Sequence, residues 1–168
     1  MEKRSPDLLI FCSKLMTART VTTQSEDETA AVGRELASTL SAGDVVLLSG
    51  DLGAGKTAFV RGLAEGLGVP RDEVSSPTFT LIQEYRGGRL TLFHVDLYRI
   101  DDPREFDELG LDEIADGGVL AVEWAEKLDA RLKPSRSVTV HIEHGEGDAR
   151  VVAITNSPAR SLANYSDR

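Results

Sequence analysis

The chain has 168 residues, 40% of them apolar and 28% charged, with a formal net charge of −9 and a single cysteine. That size suits one domain with a real core, and the acidic balance excludes broad, sequence-independent nucleic-acid binding, which needs clustered Lys and Arg. Cys12 cannot form an internal disulfide, no apolar run reaches membrane-span length, and residues 8–12 are too short for a signal-peptide core, so a cytoplasmic protein without a membrane partner is expected.

Residues 1–20 read as a peripheral extension, with Met16 offering a second possible start and residues 8–11 an alternative extra strand. Residues 21–155 read as one domain, without internal repeat or splitting linker, and 156–168 as a tail without periodicity. Val21-Thr22-Thr23 is strand-like. Ser25 and Glu28 have the spacing of a capping box and open a helix expected to run to about Leu40, with Val32, Leu36 and Leu40 on one face and Gly43 as its C-cap. Residues 44–49, DVVLLS, form a short buried strand.

That strand runs into GDLGAGKT at 50–57, which fits the phosphate-binding pattern G-x-x-x-x-G-K-[ST]. Gly50, Gly53 and Gly55 allow turns that a Cβ would block, and the backbone of Asp51, Leu52 and Ala54 completes an N–H cradle for an anion. Lys56 supplies a positive charge for the β- and γ-phosphates, and the Thr57 hydroxyl is placed to ligate Mg²⁺. Residues 57–67 leave the loop as a helix with Phe59, Val60, Leu63, Ala64 and Leu67 at helical spacing, so its positive end faces the phosphates. The turn at 23–26 is a candidate lining of the base pocket, with an ordinary helix cap as the plainer reading.

Further on, residues 79–85 and 90–98 read as two antiparallel strands around a tight Arg86-Gly87-Gly88-Arg89 turn, with Phe93, Val95 and Leu97 on one face and His94, Asp96 and Tyr98 on the other. The antiparallel pair makes the sheet mixed. Asp102-Pro103 caps a short helix to Leu109, and another follows to Asp116. Residues 101–116 hold eight acidic side chains against one Arg, either a solvated face or a docking surface for a basic partner. Residues 119–124, VLAVEW, make a buried strand with an acid at its tip, residues 125–132 a short helix or loop, and 137–143 with 150–154 a second hairpin.

A phosphate loop needs a metal held by an acid before it can support hydrolysis. Asp96 and Glu123 both end apolar strands, and with Thr57 they would form a hard-oxygen site suited to Mg²⁺. Glu123 is the favoured metal acid. Asp96 is expected to share that task or act on the lytic water. Thr78 is the candidate switch hydroxyl, ordering against the γ-phosphate and Mg²⁺. Trp124 is either a core residue or packs beside the nucleotide, and His94 reads as a satisfied strand histidine rather than a ligand. Arg61, Arg99 and Arg136 are open candidates for an arginine finger.

Four blocks together, GDLGAGKTAFVRGL at 50–63, SPTFTLIQEY at 76–85, HVDLYRI at 94–100 and VEWAEKL at 122–128, resemble the TsaE (YjeE) family over roughly residues 21–154. That family is the bacterial ATPase of the tRNA threonylcarbamoyladenosine pathway. The resemblance implies an α/β, P-loop NTPase-like three-layer fold with a central mixed sheet and helices on both faces. It also implies ATP and Mg²⁺ as cofactors and weak hydrolysis. The implied partners are TsaD and TsaB homologues, which carry the transfer chemistry to adenosine 37 of ANN-decoding tRNAs, so tRNA is met only through the complex. By motif match Lys56 and Thr57 carry the phosphate and metal roles, Asp96 and Glu123 the acidic roles, residues 76–80 the switch, and Trp124 the family's Trp after the acid. Ala58 stands where family members often have a second Thr, next to the expected α-phosphate contact. Two other readings stay open, a small-molecule kinase and a nucleotide-sensing adaptor that does not hydrolyse.

Overall fold

The structure, a computed structural model, describes residues 18–77, 79–128 and 137–156. The expected strand at 8–11 and the tail from 157 lie outside the described residues. Within them, seven strands form one sheet in the order β1-β7-β6-β2-β5-β4-β3. They are β1 (Ala18–Thr23), β2 (Val45–Ser49), β3 (Ile82–Tyr85), β4 (Leu92–Asp96), β5 (Val119–Glu123), β6 (Ser137–His144) and β7 (Arg150–Asn156). The central strand β2 runs parallel to β5 and β6, and β4 runs parallel to β5. Antiparallel pairs β3–β4, β6–β7 and β1–β7 close the two sides, so the sheet is mixed as expected.

Both faces of β2 are buried, because helices cover the sheet from both sides. On one face Val46 and Leu48 pack with Phe59, Val60, Leu63 and Leu67 of α2 (Lys56–Leu67) and Val32 of α1 (Glu26–Ala37). On the other, Val45, Leu47, Leu120 and Val122 pack with Phe106 of α3 (Pro103–Glu108) and Ala115 of α4 (Leu111–Asp116). The result is the expected three-layer α/β architecture. α1 and α2 approach closely at Gly62, where a Cβ would sit 1.8 Å from the carbonyl oxygen of Ala30.

Caps fix several boundaries. The Glu28 amide donates to Ser25 Oγ at 3.1 Å, and Glu28 Oε2 accepts from the Gln24 amide at 2.6 Å, the expected capping-box exchange moved one residue outward. Asp102 caps α3, with Pro103 in its first turn. α1 stops at Ala37 rather than near Leu40. There the hydroxyls of Ser38 and Thr39 donate back to the carbonyls of Glu35 and Leu36. The Arg89 guanidinium donates to the carbonyls of Ala37 and Leu40, so a distant cation ends the helix and Gly43 is not its cap.

Two further boundaries differ from the sequence reading. β3 begins at Ile82 rather than at residue 79, because Leu81 adopts φ +64°. The β3–β4 turn is also wider than a two-residue hairpin, since Tyr85 pairs with Leu92. Only Gly87 of its two glycines takes a positive φ. The Arg89 amide reaches across to the Leu67 carbonyl at 2.6 Å and ties this turn to the end of α2. The expected alternation in β4 holds, since Phe93, Val95 and Leu97 face the α3–α4 side.

Candidate functional site

The sheet order decides which side chains meet. β2 delivers the 50–57 loop at its carboxyl end, and β5 and β4, running parallel beside it, deliver Glu123 and Asp96 at theirs. Asp96 and Glu123 are direct register partners. Two acids far apart in sequence, at 96 and 123, are thus neighbours next to the glycine loop, and both are buried. Such carboxylates need hydrogen bonds or a cation to offset the loss of water.

The loop itself is built on strained-for-others backbone. Gly50 has φ +141°, and a Cβ there would lie 2.3 Å from the Ile142 carbonyl of β6. Asp51, Leu52 and Gly53 are exposed at the tip, with Leu52 70% exposed, whereas Ala54 and Ala58 are buried against the scaffold. Gly55 and Lys56 begin α2, whose amide end therefore points at the loop.

Lys56 is buried, and its Nζ donates to the carbonyls of Gly50 at 2.6 Å and Asp51 at 2.8 Å. The ring of Trp124 covers it at 4.0 Å. Burial lowers the Lys56 pKa below the ordinary lysine range, while the charges of Glu123, Glu126, Asp96 and Asp51 act the other way. Thr57 Oγ1 donates to Glu123 Oε1 at 3.0 Å and reaches Oε2 at 3.3 Å. Lys56, Thr57, Glu123 and Trp124, singled out separately in the sequence, therefore form one contiguous group.

Asp96 is oriented from two sides. Its Oδ2 accepts from Ser76 Oγ at 3.0 Å, and its Oδ1 accepts from the Tyr98 amide at 2.9 Å. Thr78, the candidate switch hydroxyl, lies outside the described residues, as does Arg136. Arg61 donates to the Val74 carbonyl, a structural role that braces the chain after α2. Arg99 stacks on Phe79, its Cζ 4.2 Å from the ring centroid, and Phe79 is 83% exposed.

Three neighbours of the site have no separate role in the sequence reading, Ser76 standing only within the 76–80 switch block. Ser76 binds Asp96 through a loop contact that no local pattern encodes. Tyr98 stacks on Trp124 with centroids 4.9 Å apart. His94, read as an internally satisfied strand residue, places Nε2 2.7 Å from Glu123 Oε1. Its position two residues before Asp96 was the available signal, because strand alternation puts 94 and 96 on the same face.

A cleft of about 330 Å³ opens on the other side of the loop. Gln24, Ser25, Glu26 and Thr29 line it together with Gly53 and Gly55. Asp148 of the β6–β7 turn and Arg150 at the start of β7 complete its wall. The turn at 23–26 thus faces the loop, as the sequence reading allowed. Among the described residues no group of three or more His, Cys, Asp and Glu is arranged to hold a metal by itself. Among them, too, no helix is long and apolar enough to cross a membrane.

Comparison with known proteins identifies the family. The family model described as "Threonylcarbamoyl adenosine biosynthesis protein TsaE" matches residues 23–152. A Bacillus subtilis (strain 168) protein named tRNA threonylcarbamoyladenosine biosynthesis protein TsaE is 46% identical over 134 residues, covering 79% of this chain and 82% of its own length. A protein of the same name from Nostoc sp. (strain PCC 7120) is 43% identical over 135 residues, covering 77% and 81%. The crystal structure of Bacillus subtilis YdiB superposes with a TM-score of 0.69 at 37% identity, covering 85% of this chain and 88% of that one. A family model matching residues 23–152 and relatives this similar along most of their length lead to one conclusion: the chain belongs to the TsaE family of threonylcarbamoyl adenosine biosynthesis proteins.

Proposed function

We propose that the chain binds Mg-ATP on the 50–58 loop and hydrolyses it weakly, with turnover raised by protein partners, in the biosynthesis of N6-threonylcarbamoyladenosine at adenosine 37 of tRNA. The partners in this reading are TsaD and TsaB homologues, and tRNA is held by the complex rather than by this acidic, cytoplasmic chain. The observation that carries it is the hydrogen bond from Thr57 to Glu123, which joins the loop's hydroxyl to a strand-tip carboxylate beside Lys56.

The donor set fits Mg²⁺. Thr57, Glu123 and Asp96 offer hard oxygens, and among the described residues too few protein groups converge to enclose a cation, which suits an ion that keeps waters and shares phosphate oxygens. When bound, the ion would offset charge developing on the transferred phosphoryl group. Lys56 exchanges its carbonyl partners for phosphate oxygens and supplies a second positive charge. Loop amides and the N-terminus of α2 orient the phosphates. Asp96, gripped by Ser76 and the Tyr98 amide, holds the attacking water. The cleft beside Gln24 and Thr29 takes the base. Thr78 acts as the switch hydroxyl, and Trp124 covers the phosphate side.

Phosphate release measured with and without a TsaD–TsaB preparation tests this reading. Slow release that rises with the partners is expected. Partner-independent phosphate transfer to a metabolite would instead favour a small-molecule kinase, and binding without release a nucleotide-sensing adaptor.

A further inference from the structure

We propose that His94 is a positioning residue for Glu123: its Nε2–H fixes Oε1, so that the carboxylate turns toward the Thr57 hydroxyl and a cation beside it. This rests on the Mg-ATP reading above.

His94 is 0% exposed and Glu123 3% exposed. The imidazole lies on β4 in register with Ala121 of β5, on the face where Leu92 and Ala121 join the apolar layer beneath α2. An apolar side chain would satisfy packing there. The only polar contact of the ring among the described residues is Nε2 to Glu123 Oε1 at 2.7 Å, and Nδ1 is buried without a hydrogen-bond partner. A buried polar atom left unpaired costs free energy, so the ring's placement is explained by what its other nitrogen does.

The tautomer follows from the partner. Opposite an ionised carboxylate, which only accepts, Nε2 is the donor. The reverse tautomer would bury an unpaired N–H and set two acceptors against each other. Thr57 donates to the same carboxylate from the opposite element, α2. Glu123 is therefore held between a donor from the sheet and a donor from the loop helix. Outer partners of this kind orient metal-binding carboxylates, and their loss typically costs about 10–100-fold in metal affinity.

Gln at 94 can place its amide nitrogen where Nε2 lies, whereas Met fills the space without a donor. The test compares ADP affinity with and without Mg²⁺ by calorimetry in wild type, His94→Met and His94→Gln. The gain in affinity on adding Mg²⁺ should shrink about tenfold or more in His94→Met and return to within a few-fold of wild type in His94→Gln. Metal-free ADP affinity should stay level across all three. An equal gain in His94→Met and wild type overturns the positioning role alone. Wild type that binds ADP with no gain from Mg²⁺ overturns the metal reading and this role together. A second readout needs no variant to fold. The ¹⁵N spectrum of the His94 ring in the whole protein should show the Nε2–H tautomer, and an Nδ1–H tautomer overturns the proposal.

Discussion

The indole of Trp124 lies over the ammonium of Lys56, with Nζ 4.0 Å from the ring centroid. A left-handed backbone at Trp124, φ +60°, turns the ring back over the loop as soon as β5 ends. Trp124 is the only tryptophan in the chain, so its emission reports this contact. Lys56→Met should shift the emission of the nucleotide-free protein and abolish its response to Mg-ATP. Identical spectra for variant and wild type would mean that the stacking does not exist in solution.

The same substitution should change stability with a defined pH dependence. Burial holds the folded-state pKa of Lys56 below its unfolded value, so the protonated ammonium is penalised on folding. The unfolded chain then binds more protons over that interval, and stability rises with pH through it. The stability of nucleotide-free wild type relative to Lys56→Met should therefore rise as pH climbs toward the ordinary lysine range. Melting curves across alkaline pH, run in parallel for the two proteins, check the sign.

Removing Glu123 should affect both turnover and stability. Glu123→Ala is expected to lower ATP turnover on the order of 10²-fold or more, as loss of a charge-stabilising group does. It also strands the His94 Nε2–H in a buried site, at a cost of about 1–3 kcal/mol. Glu123→Gln keeps the shape and an acceptor for His94, so it should lose turnover with a smaller loss of stability. Phosphate release and urea unfolding on both variants distinguish the two effects.

Gly62→Ala should be far more damaging than an alanine in a helix normally is. Its Cβ would meet the Ala30 carbonyl at 1.8 Å, and that oxygen is backbone, so α1 and α2 must separate. Overpacking of this kind costs about 1–3 kcal/mol or more. Because α2 begins with Lys56 and Thr57, nucleotide affinity should fall along with the melting temperature.

Much of this was legible in the sequence. Hydrophobic periodicity and glycine placement mark β2, the loop and α2. The apolar run ending in Glu123 reads as a buried strand with an acid at its tip, and the antiparallel partner of β4 follows from its turn. What stayed hidden depends on contacts between distant segments. Nothing local says that β1 pairs with β7, or that β5 lies between β2 and β4 so that Glu123 meets both Thr57 and His94. The end of α1 is hidden for the same reason, since Arg89, 52 positions on from Ala37, caps it. Leu81 looks like strand by composition, yet it is left-handed, its amide bonded to the Pro77 carbonyl in a local turn and its carbonyl to the distant Asp96 amide.

That left-handed residue carries a mechanical consequence. The Leu81 carbonyl accepts the Asp96 amide at 3.0 Å, while Ser76, five residues earlier, holds the Asp96 side chain. A single passing segment thus clasps one acid by both its main chain and its tip. β4 pairing and the Tyr98 amide hold Asp96 as well, but a displacement of Ser76 or Leu81 removes one of its side-chain donors or its main-chain acceptor, so lesions at those two positions will partly imitate lesions in the acid itself.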